Sequence, residues 1–125
     1  MSLISKLFSE PVDERALQAA HSWLAYCDAY DTKKSWEEAS TIFKRAADMQ
    51  KWEEIFLAVR KSLGEVLLRE QISAKTQKAL PGIPDGLYVV IRYKTKFANK
   101  NESIETVTVS MEDDAVWRAC GYFLK

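Results

Sequence analysis

The chain has 125 residues and a mass of 14.3 kDa, the size of one domain around one core. Its 18 lysines and arginines balance 18 aspartates and glutamates, so no net field draws it to nucleic-acid phosphates or anionic lipid, and neither partner is expected. No stretch is apolar enough to span a bilayer, and the opening "MSLISKLFSEP" lacks the apolar run and cleavage site of a secretory leader. A cytoplasmic location is the expectation, or a periplasmic one if a leader has been removed.

Residues 1–10 read as an N-terminal extension and residues 11–125 as a single α+β domain. Ser9, Glu10 and Pro11 supply a cap, an acidic first turn and a fixed φ, so the first helix is predicted over residues 11–30. Its apolar stripe is Ala16, Ala20, Trp23, Leu24 and Cys27. A second helix starts at Asp31 or at Ser35, which with Glu38 has the spacing of a capping box. Trp36, Ala39, Phe43 and Ala46 or Ala47 form its apolar side. Asp48 caps a third helix that places Trp52, Ile55, Phe56, Val59 and Leu63 on one face, and Gly64 stands in the stop position.

Past Gly64 the hydrophobic period changes from about 3.6 to 2, the signature of strands. The first strand, residues 65–79, puts Val66, Leu68, Ile72 and Ala74 on one side, with Glu70 interrupting, which either a bulge or an exposed strand end accommodates. "LPGIPDG" breaks the ladder with two prolines and two glycines. The second strand, residues 87–97, turns Leu87, Val89, Ile91, Tyr93, Thr95 and Phe97 to one side. "FANKNES" reads as a turn, and Glu105, Val107, Val109 and Met111 as the inward side of the third strand. After the acidic turn "EDDA", Trp117, Ala119, Gly121 and Phe123 share one parity of the last strand, and Arg118, Cys120, Tyr122 and Leu124 the other.

Short turns join antiparallel neighbours, so the pattern predicts three N-terminal helices packed on one face of a curved four-stranded antiparallel meander sheet. A twisted sheet of such strands leaves a cone-like hollow beneath the helices.

"WLAYCDAYDTKKSWEEASTIFK", "PGIPDGLYVVIRYKTKFANK", "ETVTV" and "DDAVWRACGYFLK" resemble the bacterial family called domain of unknown function 4019. The likeness runs from about Ala16 to Leu124 and clusters at Pro81, Gly82, Pro84, Asp85, Gly86, Tyr88, Phe97, Ala98, Asn99, Lys100, Trp117, Arg118, Gly121 and Tyr122. It implies the fold and no activity. The helix-then-sheet order is more loosely similar to nuclear-transport-factor-two-like and cystatin-like architectures, whose cone-shaped members include isomerases and dehydratases. Some relatives in the family carry exported leaders.

Such an enzyme needs a carboxylate or histidine held in the hollow, where burial tunes its pKa. Val89, Ile91, Tyr93, Val107, Val109 and Met111 supply none, and Glu105, near a strand end, reads as a solvated rim residue. His21 is the single histidine, about two helical turns from Asp28, too far for a paired base. Cys27 and Cys120 read as buried thiols, without metal-ligand spacing. Asp28, Asp31 and Asp48 do not have calcium-loop spacing, so no metal and no cofactor are expected. Lys94, Lys96 and Lys100 read as a solvated strand end.

No catalytic residue is therefore assigned. The expectation is a non-catalytic module that binds a small apolar ligand or a protein partner, with an isomerase or dehydratase type enzyme as the alternative. Trp23, Tyr26, Asp28, Phe43, Phe56, Tyr93, Phe97 and Trp117 are the candidate pocket residues. Tyr88, Val90, Arg92, Thr106, Thr108, Tyr122 and Leu124 are the candidate interface on the other sheet face, which a homodimer would bury.

Overall fold

The computed structural model describes residues 11–125, and the proposed cap Ser9 and first-turn acid Glu10, with the rest of the 1–10 extension, lie outside them. Four helices precede four strands among the described residues: α1 (Glu14–Asp28), α2 (Thr32–Glu37), α3 (Thr41–Ala46), α4 (Met49–Leu63), β1 (Val66–Gln77), β2 (Tyr88–Phe97), β3 (Lys100–Met111) and β4 (Trp117–Leu124). The strands form one open antiparallel sheet in the order β1-β2-β3-β4. The architecture is α+β, with the helices on one sheet face.

Asp13 is the N-cap of α1, accepting from the Arg15 amide at 2.9 Å. The predicted stripe is the buried one: Ala16, Ala20, Trp23, Leu24 and Cys27. The predicted second helix is divided into α2 and α3. Asp31 caps α2 through the Lys34 amide at 3.0 Å. Ser35 forms no capping box; its buried hydroxyl donates to the Thr32 carbonyl at 2.8 Å and accepts from the Trp52 indole at 2.9 Å. The break falls at Ser40, whose amide bonds to the Ala119 carbonyl of β4 at 2.8 Å while its hydroxyl caps α3. A bond to the sheet has replaced a bond along the helix.

On α4 the buried residues are Trp52, Phe56 and Arg60, whereas Ile55 and Val59 are 47% and 41% exposed. The face is rotated from the predicted one because an arginine occupies the core position. Gly64 ends the helix at φ 78°, a conformation that favours glycine.

Register shifts alter the predicted strand faces. Two in β1, between Val66 and Leu68 and between Gln71 and Ser73, leave Leu68 and Ile72 63% and 44% exposed and turn Arg69 inward opposite Thr95. One between β3 and β4, at Thr108/Val109, pairs Ala119 with Val109 but Tyr122 with Val107. Trp117, Ala119, Tyr122 and Leu124 consequently face the helices, and Phe123 points outward. The turn between β2 and β3 shrinks to Ala98 and Asn99, whose amides bond the carbonyls of Glu65 and Leu63 at 2.9 and 2.8 Å. Leu87, expected inside, is 38% exposed just before β2 begins.

The core lies between α1, α4 and the sheet. Trp23, Phe43, Trp52, Phe56 and Tyr122 stack with ring centroids 4.9 to 6.3 Å apart, mostly edge to face. Ile91, Val107, Val109 and Ala119 form the floor. Aromatic rings fill most of the hollow that the fold creates.

Candidate functional site

One part of that interior is ionic. Arg60 projects from α4 because it follows Trp52 and Phe56 at four-residue intervals, the spacing of one helix face. Only 1% of it is exposed, and its guanidinium carbon lies 5.3 Å from the Phe56 ring and 5.1 Å from the Phe97 ring. Its Nη2 donates to Asp28 Oδ1 at 2.9 Å and its Nη1 to the Tyr122 hydroxyl at 3.5 Å.

Arg69, turned inward by the β1 bulges, sits beside it. It grips Asp28 with both Nη atoms, at 2.6 and 2.9 Å, and Glu105 with Nε at 2.7 Å. Glu105 is fully buried. It also accepts from the Thr95 hydroxyl and the Tyr122 hydroxyl, and Arg60 Nη1 lies 4.0 Å away. Two cations face two carboxylates, and all are tied by hydrogen bonds, the condition under which charges tolerate burial.

The electrostatics follow from this pairing. Burial pushes Asp28 up, but the bonds and charges of Arg69 and Arg60 outweigh it and hold the carboxyl below its ordinary value. Burial pushes the Tyr122 phenol up, and Glu105 pushes it further. Cys27, next to Asp28, is raised by burial, and Cys120 is raised to about 11 by burial. Neither thiol is an activated nucleophile at neutral pH.

An apolar cleft of about 150 Å³ opens beside the cluster. Helix α4 walls it with Trp52, Ile55, Phe56, Val59 and Arg60, and β4 with Tyr122 and Leu124. Arg60 and Tyr122 therefore belong to both the cluster and the cleft.

A family model described as Protein of unknown function (DUF4019) matches residues 19–122. The chain belongs to the DUF4019 family. No curated protein matches it. The matched region of this DUF4019 chain contains all six cluster residues, Asp28, Arg60, Arg69, Thr95, Glu105 and Tyr122.

The DUF4019 fold gathers some predicted site residues and separates others. Asp28, Phe56 and Phe97 meet around Arg60. Trp23 and Phe43 join the aromatic stack, and Tyr93, 5% exposed, lies under the helices with its phenol pushed up to about 12 by burial. Tyr26 and Trp117 are elsewhere, lining a second cleft of about 150 Å³ with Trp23, Glu38 and Arg118. Trp117 donates its indole N–H to Asp13 at 3.1 Å.

Of the interface candidates, Val90, Arg92, Thr106 and Thr108 lie on the outer sheet face. Tyr88 is 2% exposed, its hydroxyl bonded to the Pro84 carbonyl within its own turn. Tyr122 and Leu124, expected on that face, lie on the helix side because the β4 register shift reverses their parity. Glu105, expected at a solvated rim, is at the centre of the ion cluster.

Arg60 and Arg69 were not singled out by sequence pattern. One signal existed: Arg60 lies in the i, i+4, i+8 series with Trp52 and Phe56. Among the described residues no group of His, Cys, Asp and Glu could hold a metal ion, and no helix is long and apolar enough to cross a membrane.

Proposed function

We propose that this chain is a non-catalytic binding module that takes a small apolar ligand in the cleft between α4 and β4. The observation that carries the reading is the cleft itself, where the partly exposed Ile55 and Val59 meet the buried Arg60 and the half-buried Tyr122. Pockets for small molecules are mostly apolar with a few polar groups that fix orientation, and this cleft has that composition on a small scale.

Pairing of the carboxylates supports a non-catalytic role over an isomerase or dehydratase. A general base has a pKa near the working pH and a lone pair free for substrate. Asp28 is held low by two arginines, and Glu105 already accepts from Arg69, Thr95 and Tyr122. The test is a thermal-shift screen with monocyclic apolar probes at millimolar concentration. A ligand that binds the folded state raises the midpoint by mass action; no shift from any probe would sink the reading.

The outer sheet face supports a second role, a homodimer contact. Phe123 is 63% exposed there, opposite Thr106, with Val90, Arg92 and Thr108 around it. Light scattering tests it directly: a mass of 14.3 kDa at all concentrations rules the dimer out.

A further inference from the structure

Resting on the reading of the chain as a homodimer, we infer that two copies pair edge to edge through the C-terminal half of β4, antiparallel about Phe123, and join their four-stranded sheets into one. The first observation is a row of free backbone groups. β4 is an edge strand, and Lys125 exchanges both backbone bonds with Ile104, at 3.1 and 3.0 Å. Hydrogen-bonded and non-hydrogen-bonded pairs alternate along an antiparallel ladder. Phe123 therefore bonds Thr106, while Leu124 and Tyr122, opposite Glu105 and Val107, aim their N–H and C=O groups at the open edge. Nothing among the described residues bonds those groups. The other edge positions are closed. Ala119 gives its carbonyl to Ser40 at 2.8 Å, and β1, the opposite edge, is broken by two register shifts, the kind of irregularity that keeps edges from pairing.

The second is self-complementarity. A register that sets Tyr122 against Leu124 of the other copy repeats itself under a twofold axis, as a contact between identical surfaces requires. Both Tyr122–Leu124 pairs then exchange both bonds, and every free group is used. The same register puts Phe123 opposite its counterpart at a non-hydrogen-bonded site, where side chains of the two strands lie closest. Phe123 is 63% exposed in one copy alone. Lys125 falls opposite Gly121, so the pairing sets no like charges against each other.

The third is the area to be covered. Tyr122 and Leu124 share the α4/β4 cleft with Ile55 and Val59, which are 47% and 41% exposed, so on the helix side the pairing brings apolar side chains of both copies to the junction. On the outer side the two Phe123 rings, each roughly 150–250 Å², cover one another. An edge this short with these side chains lies at the low end of specific interfaces, below about 1,200 Å² in total. The dimer is therefore weak, and its population follows concentration.

Sedimentation velocity of the full chain between about 5 and 500 µM, a span suited to so small an interface, is expected to show a monomer–dimer equilibrium. Leu124→Pro removes an N–H that points to the open edge and none from the ladder with β3, a place where a strand tolerates proline. It should weaken the dimer about thirtyfold, the product of two lost hydrogen bonds at about fivefold each. Val90→Arg, on the outer sheet face away from the edge, should change the affinity by no more than about twofold. A cross-linking measurement does not depend on the proline variant. In the Cys120→Ser chain oxidised with copper–phenanthroline, Phe123→Cys should give a disulfide-linked dimer, because a non-hydrogen-bonded pair holds its Cα atoms about 4.5 Å apart. Val90→Cys, two strands in from the edge, should not. A dimer that ignores Leu124→Pro and is dispersed by Val90→Arg, or that cross-links through Val90→Cys and not Phe123→Cys, keeps the homodimer on its sheet face and overturns the edge pairing. A monomer at every concentration, with no cross-linking, overturns both.

Discussion

Arg69 on β1 and Asp28 on α1 are joined at two points, Nη1 to Oδ2 at 2.6 Å and Nη2 to Oδ1 at 2.9 Å. The same guanidinium reaches Glu105 at 2.7 Å, so its removal strands a carboxylate in the interior. Arg69→Met is expected to cost about 3–5 kcal/mol in urea unfolding, the usual penalty for breaking one side of a buried pair. Glu105→Gln should cost less, because it retains a hydrogen-bonding side chain. The double variant should lose less than the sum of the two; strict additivity would mean that the residues do not interact.

Ser35 serves two helices through one hydroxyl. It accepts from the Trp52 indole and donates to the Thr32 carbonyl, and its own carbonyl accepts from the Trp23 indole at 2.8 Å. Ser35→Ala leaves the Trp52 N–H buried and unpaired, for an expected loss of about 1–3 kcal/mol. Chemical denaturation followed by tryptophan fluorescence would measure it, and an unchanged midpoint would contradict it.

Acid and alkali should each weaken the fold through the cluster. Despite burial, which raises it, Asp28 is held below 3.8 by Arg69 and Arg60, so its contribution is present above the unfolded value and is lost as pH falls through the folded one. Stability should decline below about pH 4, and Asp28→Asn should flatten that limb. Tyr122 and Tyr93 are raised, chiefly by burial. Their contribution is present below about pH 10, the unfolded value, and is lost as pH rises beyond it. Tyr122→Phe should make the alkaline limb shallower; identical slopes in urea melts across pH would refute the assignment.

Gly64 joins α4 to β1 at φ 78°, and an added Cβ would lie 3.0 Å from Ala98 Cβ and 3.2 Å from Asn99 Nδ2. Gly64→Ala should therefore cost more than about 1 kcal/mol, through backbone strain and crowding together. Gly82 has a similar φ of 81° but nothing within 4 Å of its Cβ position. The alanine variant there should cost less, and thermal unfolding of the pair separates crowding from strain.

The fold was legible in the sequence because hydrophobic periodicity reports on the whole of an element. The stripe of α1, the caps at Asp31 and Asp48 and the alternation of β2 from Val89 to Phe97 all lie where the pattern puts them. Faces failed where one residue was out of step. The bulges of β1 and the shift at Thr108/Val109 change parity without changing composition, so Arg69 and Tyr122 were assigned to the wrong side or to none. Glu105 shows the other limit: its inward parity was visible, but its burial depends on Arg69, 36 residues away in sequence. A charge reads as exposed until its partner is located in space.

The six cluster residues come one from each of α1, α4 and the four strands: Asp28, Arg60, Arg69, Thr95, Glu105 and Tyr122. This distribution bears on how the chain assembles. An intermediate that has docked the helices on β2, β3 and β4 without β1 holds Glu105 in the interior without its closest cation. Such a state is penalised, and β1 and α1 gain their full stability only together. Native-state hydrogen exchange is therefore expected to show their amides opening as one cooperative unit.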